Sequence, residues 1–225
     1  MKKFIFLSLM LIGYYGYSQE DERFGVFLGL NQYYAKSNFL SSRSNMGYTA
    51  GAVATLPISS YSEILVEISL ARFKSEFLGR ESIESVEKEW IKMHMDRINL
   101  AVIYDYDVLH FFDEDLAIGI NAGPSLAFIQ DWRLDDQSKE VYLIEPYSIE
   151  PQYMMTDAYN EKVSLNIYVE FGMSVRYRNL EGSLRYYKGI TSPYRNFPLS
   201  SSMLELKGKD DYSTFTVTYY FGNNF

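Results

Sequence analysis

The sequence predicts an all-β protein: an eight-stranded antiparallel up-and-down transmembrane β-barrel with short periplasmic turns and long extracellular loops. Three observations predict it. Eight segments alternate strictly with period two, the connections between them alternate short and long, and one face of each segment is apolar with no charge through its middle. Composition agrees with this class. Of 225 residues, 47% are hydrophobic and 17% aromatic, with 21 Tyr and 15 Phe against 2 Trp. Mean hydropathy lies slightly below zero, which excludes a bundle of apolar helices of ~20 residues each. The formal charge of −8 argues against a nucleic-acid partner, which needs a basic footprint. Cysteine is absent, so a disulfide scaffold, thiolate-bound zinc and thiol catalysis are excluded.

Taken in order, residues 1–18 read as a signal peptide. Lys2 and Lys3 form a positive start, Phe4 to Ile12 an apolar run, and Gly16 and Ser18 a small-residue cleavage site before Gln19. Losing both lysines leaves the exported chain two charges more acidic. No cysteine follows the apolar run, so a lipid anchor is excluded. Residues 19–225 then form one barrel domain. Strands are expected at 24–30, 47–56, 63–70, 97–105, 116–126, 163–176, 183–187 and 214–221. The short connections are 57–61, 107–115 and 178–179; the long ones are 34–46, 75–92, 130–162 and 191–211. An even strand count with both ends on the short-turn side fits an outer-membrane barrel, and strands of ~10 residues span its apolar band when tilted. Lipid offers no hydrogen bonds, so the sheet must close on itself. Glycines on the inward face, Gly51 and Gly172 among them, leave room for larger neighbours in a narrow lumen. The expected place is the outer membrane of a Gram-negative bacterium, with its lipid as the first partner.

The stretches FGVFLGLNQYY (24–34), EILVEISLARF (63–73), AGPSLAFI (122–129), LRYYKGI (184–190) and VTYYF (217–221) resemble the PorT-like outer-membrane β-barrel proteins of Bacteroidetes. The resemblance covers most of the chain, but its motifs mark strands rather than chemistry. Asn99 stands where the family pattern usually has proline. Some relatives serve secretion and gliding machinery, so the resemblance implies an accessory role in a larger outer-membrane protein complex. It carries over no catalytic residue.

Residues with candidate roles fall in two groups. Glu67, Arg97, Asp105, Glu170, Arg176 and Arg185 are placed by alternation on the lumen face, where they could form an ion-pair plug or line a selective pore. An eight-stranded barrel leaves little lumen, which favours the plug. The two-residue turn at Arg178 and Asn179 sets Arg176 opposite Glu181 and Arg185 diagonal to Glu170. The loop 130–162 is acidic and aromatic, and Trp132, Asp135, Asp136 and Tyr147 are its candidate partner residues. It has no EF-hand spacing. Between Ser82 and Ile91, Ile83, Val86 and Trp90 recur at helical spacing, so a short helix over the mouth and an extension of the third and fourth strands both fit. Arg72 and Lys74 sit at the outer rim of the lipid face, within reach of phosphates or snorkelling to water.

Catalysis is not expected. The two histidines, His94 and His110, fall at opposite rims, and no Gly-x-Ser-x-Gly elbow, phosphate loop, dinucleotide fingerprint or metal-ligand cluster occurs, so no cofactor or metal is expected. His94 with a loop serine is the one arrangement a hydrolase could use. The sequence thus points to a non-catalytic structural or accessory barrel; a narrow porin-like channel is the first alternative and a lipid-modifying enzyme the second.

Overall fold

The computed structural model describes residues 22–37, 41–111, 115–129, 132–145, 164–191 and 208–221. The expected signal peptide and Tyr147 lie outside them. The described residues form ten strands: β1 (Arg23–Ser37), β2 (Ser42–Ser59), β3 (Ser62–Arg80), β4 (Glu89–Phe111), β5 (Leu116–Ile129), β6 (Arg133–Leu134), β7 (Leu143–Ile144), β8 (Ser164–Tyr177), β9 (Leu180–Gly189) and β10 (Gly208–Phe221). The eight long strands pair antiparallel with their sequence neighbours, and β10 returns to pair with β1 from Phe24↔Phe221 to Ser37↔Gly208. The ring of hydrogen bonds is therefore closed, with no free sheet edge through the body of the barrel.

Alternation decides which way each side chain points. Phe24, Val26, Leu28 and Leu30 on β1, and Val66, Ile68 and Leu70 on β3, face outward and are exposed. The same holds for Ile98, Leu100, Val102 and Tyr104 on β4, for Leu165 to Val175 at every second position of β8, and for Phe215 to Phe221 on β10. Such a belt of exposed apolar side chains all round a molecule is far beyond what water tolerates. Among the described residues no helix is long and apolar enough to cross a membrane, so any crossing is made by strands.

The β3–β4 hairpin runs well past this belt. Cross-strand pairing continues from Arg72↔Asp96 up to Gly79↔Glu89, so the strand-extension reading holds for the 75–92 segment and Ser82–Ile91 forms no helix. The sense of the alternation inverts on the way. Below Leu70 the outward residues are apolar. Above it the outward set becomes Arg72, Lys74 and Glu76 on β3 and Lys92, His94 and Asp96 on β4, while Phe73, Phe77, Ile91, Met93 and Met95 turn inward and are buried. Backbone pairing needs no lipid, so strands can continue into water once their outward side chains are polar. The short strands β6 and β7 extend the projecting sheet, β6 on β4 through Leu134↔Met93 and β7 on β3 through Ile144↔Gly79.

Two local features fix the geometry. The β8–β9 turn is only Arg178 and Asn179, and Arg178 has φ of 53°, as hairpin turns whose twist matches the strands require. Gly47 lies at a register shift in the β2–β3 pairing, where an added Cβ would come within 2.0 Å of the Arg72 carbonyl oxygen. Only glycine fits there.

Candidate functional site

The lumen is filled by layers of inward side chains. At the short-turn end Arg176 from β8 lies among four carboxylates: Glu63 at 2.7 Å, Asp105 at 3.2 Å, Glu181 at 3.4 Å and Asp107 at 3.6 Å. Arg23 adds a second cation, 2.7 Å from Glu63 and stacked over the Tyr220 ring at 4.7 Å. Asn121 and Ser174 donate to Asp105, and the Tyr220 hydroxyl donates to Glu181. Above this lies an apolar layer of Phe27, Val53, Leu65, Ala101 and Ile103.

At mid-height Arg185 Nη1 donates to both oxygens of Glu67, at 2.7 and 2.8 Å. The expected diagonal neighbour, Glu170, is not its salt-bridge partner. β9 and β3 stand on opposite sides of the ring, so the long guanidinium reaches across the lumen instead of along its own wall. Glu170 is fully buried beside its cross-strand neighbour Tyr187, and neither of its oxygens makes a well-formed hydrogen bond.

The next layer again spans the diameter. Arg97 from β4 meets Asp210 from β10 at 2.6 Å, and both side chains are wholly buried. Tyr168 accepts from Arg97 at 2.7 Å and donates to Asp210 at 2.5 Å, while the Tyr33 hydroxyl donates to Asp210 at 3.1 Å. The guanidinium also lies over the Phe73 and Tyr33 rings, at 4.6 and 4.9 Å from their centres. Between the two diametric bridges Tyr187 and Tyr212 stack at 4.1 Å. A residual cavity of ≈ 20 Å³ beside Glu67, Arg185, Asn99 and Ser125 holds about one water.

Asp210 escapes the sequence reading, which takes 191–211 as loop, and Tyr168, within the expected strand 163–176, and Tyr33, on β1, are given no role there. The signal for Asp210 was present: Asp210, Tyr212, Thr214, Thr216, Thr218 and Tyr220 lie on one face of β10 at period two and are all buried. An aspartate heading such a series, far from the apolar belt, reads as loop chemistry unless Arg97 is known to need a partner.

The mouth is closed by an aromatic and aliphatic lid. Trp132, expected at an exposed partner face, is 4% exposed and packs edge-on against Phe77 and Tyr33 at 5.2 and 5.5 Å. The described part of the loop folds back because Trp132, Leu134, Leu143 and Ile144 are too apolar to remain in water. A buried Arg80–Glu145 ion pair ties its far end to the hairpin. Asp135 and Asp136 stay at the surface. Asp135 hydrogen-bonds His94 Nδ1 at 2.6 Å, and Asp136 accepts from the Ser138 amide and hydroxyl at 3.0 and 2.7 Å. Those bonds hold the Asp136 carboxyl below the usual carboxylate range. Among the described residues no serine hydroxyl hydrogen-bonds His94, and His110 lies at the other rim against Tyr61.

A closed eight-stranded ring with polar groups inside and an apolar belt outside is the architecture of a protein that crosses a membrane by its strands. The sequence profile of the outer membrane protein beta-barrel domain family matches residues 17–194. The chain belongs to that family, and its place is the outer membrane. Solved structures similar to it include Ail of Yersinia pestis in complex with the heparin analogue sucrose octasulfate, at 9% identity and a TM-score of 0.46, covering 89% of this chain and 99% of that one. OprG from Pseudomonas aeruginosa is similar at 10% identity and a TM-score of 0.46, covering 91% and 98%. Neisserial surface protein A is similar at 15% identity and a TM-score of 0.42, covering 88% and 97%. No curated protein matches the chain.

Proposed function

We propose that this protein is a non-catalytic, non-conducting outer-membrane barrel that serves as a structural or accessory subunit of a larger outer-membrane assembly. In this reading the short turns face the periplasm and the projecting β3–β4 hairpin with its lid faces outward. The observation that carries it is the filled lumen: two ion pairs cross the diameter, and the cavity between them, ≈ 20 Å³, admits about one water rather than a hydrated ion. With the interior filled, the surfaces left for work are the lipid face and the outer platform. The resemblance to PorT-like proteins of Bacteroidetes makes a secretion-linked assembly the specific form of this proposal.

Extraction from native outer membranes in mild detergent tests it, with mass spectrometry of what accompanies the barrel. Stoichiometric recovery with one large complex is the expected result; recovery of a lone monomer under conditions that preserve other assemblies overturns it. Planar-bilayer recording of the purified protein should show no unit conductance. Resolved conductance steps would favour the narrow channel instead.

A further inference from the structure

We infer that the outward face of β3, β4 and β6, just above the apolar belt, binds the phosphate groups of a phosphorylated glycolipid of the outer leaflet. This inference rests on the proposed orientation, with the hairpin end outward. The residues are Arg72, Lys74, Lys92 and Arg133, set around His94. Register places Lys74, His94 and Arg133 in one row across three adjacent strands, and Arg72 and Lys92 in the rows below and above. Strands lie about 4.8 Å apart and successive outward residues about 6.8 Å along a tilted strand, so these cations fall within a patch the size of one phosphorylated disaccharide.

Their height selects the ligand. Arg72 pairs across the sheet with Tyr48, an exposed ring at the upper edge of the belt. Lys74 and Arg133 stand one step higher, at roughly the 5 Å offset where headgroups replace hydrocarbon. Arg72 is held flat by Asp96, with Nε and Nη2 bonds of 2.7 and 2.8 Å, and His94 is fixed by Asp135. Lys74, Lys92 and Arg133 by contrast make no ion pair among the described residues, although Glu76 faces Lys92 across the sheet. Three cations without an ion pair among the described residues, on a chain of net charge −8, form a local basic surface at the depth of lipid phosphates. On β9 and β10 the outward Lys188 is set directly against Asp211.

The test uses the full barrel in nanodiscs, with native mass spectrometry reading bound lipid A and its dephosphorylated form. Lys74→Gln, Lys92→Gln and Arg133→Gln together should weaken lipid A binding about 100-fold, roughly five-fold for each cation. Binding of the dephosphorylated lipid should change little, and Lys74→Arg with Lys92→Arg should retain the wild-type preference. Equal loss for both lipids, no loss for either, or displacement of lipid A by millimolar inorganic phosphate would each overturn the site. Orientation is read separately. The chain has no cysteine, so Val86→Cys at the exposed hairpin tip gives a single target for a membrane-impermeant maleimide on intact cells. Labelling with unchanged lipid binding in the triple variant would sink the site alone; absence of labelling on intact cells, with labelling after lysis, would sink the orientation.

Discussion

Arg97 and Asp210 stand four strands apart in a ring of eight, as do Arg185 and Glu67, so each pair works as a strut between opposite walls. A buried ion pair is not stabilising merely because its charges attract, since both ions lose their hydration. What makes these pairs consequential is the cost of breaking one. Arg97→Met leaves Asp210 wholly buried without its cation, and that should destabilise the barrel by about 3–5 kcal/mol. Arg97→Met with Asp210→Asn removes both charges and should recover most of the loss, because Asn can still accept from the Tyr33 and Tyr168 hydroxyls. Urea unfolding in phospholipid vesicles, followed by the fluorescence of Trp90 and Trp132, measures both variants. If the double variant is no more stable than the single one, lost packing against Phe73 and Tyr33, rather than stranded charge, is the cause.

The β3–β4 hairpin changes solvent along its own length, and its sequence changes with it. Lipid outside imposes apolar outward residues up to Leu70; water outside imposes Arg72, Lys74, Glu76 and their partners, and the apolar set moves to the inner face to receive the lid. Trp132 is the centre of that lid. Trp132→Ala should remove about 3–5 kcal/mol of local packing, yet the ring of strand pairing lies below it and should stay intact. The expected outcome is faster proteolysis within the loop after β5 while the folded barrel keeps its heat-modifiable mobility on gels. Loss of both together would make the lid part of the barrel's cooperative unit. The same inversion explains what the sequence made legible. Strands inside the belt declare themselves, because lipid punishes any exception on their outward face. Above the belt Phe73, Phe77, Ile91, Met93 and Met95 still alternate, but with the opposite sense, and Ile83, Val86 and Trp90 mimic a helix. Asp210 was hidden for a related reason: its strand begins in water, where polar residues on either face are unremarkable.

At the scale of the whole molecule, closure comes from two independent sources, the ring of backbone bonds and the filled interior. The interior is stacked in series: the Arg176 cluster, the apolar layer around Leu65, the Arg185–Glu67 strut, the Arg97–Asp210 strut and the lid under Trp132. A path for ions must pass every layer, so emptying one does not open the barrel. Arg185→Ala makes this concrete. It strands Glu67 and removes the guanidinium beside Glu170, and breaking such a buried pair costs about 3–5 kcal/mol, so the unfolding temperature should fall clearly. Conductance should nevertheless remain at baseline, because Arg97, Tyr212 and Phe73 still block the lumen above and Arg176 below. A variant that kept its unfolding temperature and acquired steady conductance would reverse the reading, making Arg185 the gate of a narrow channel. A fall in stability without conductance is what a molecule built for its outer surfaces requires, since its interior then serves to hold the wall rigid beneath the platform.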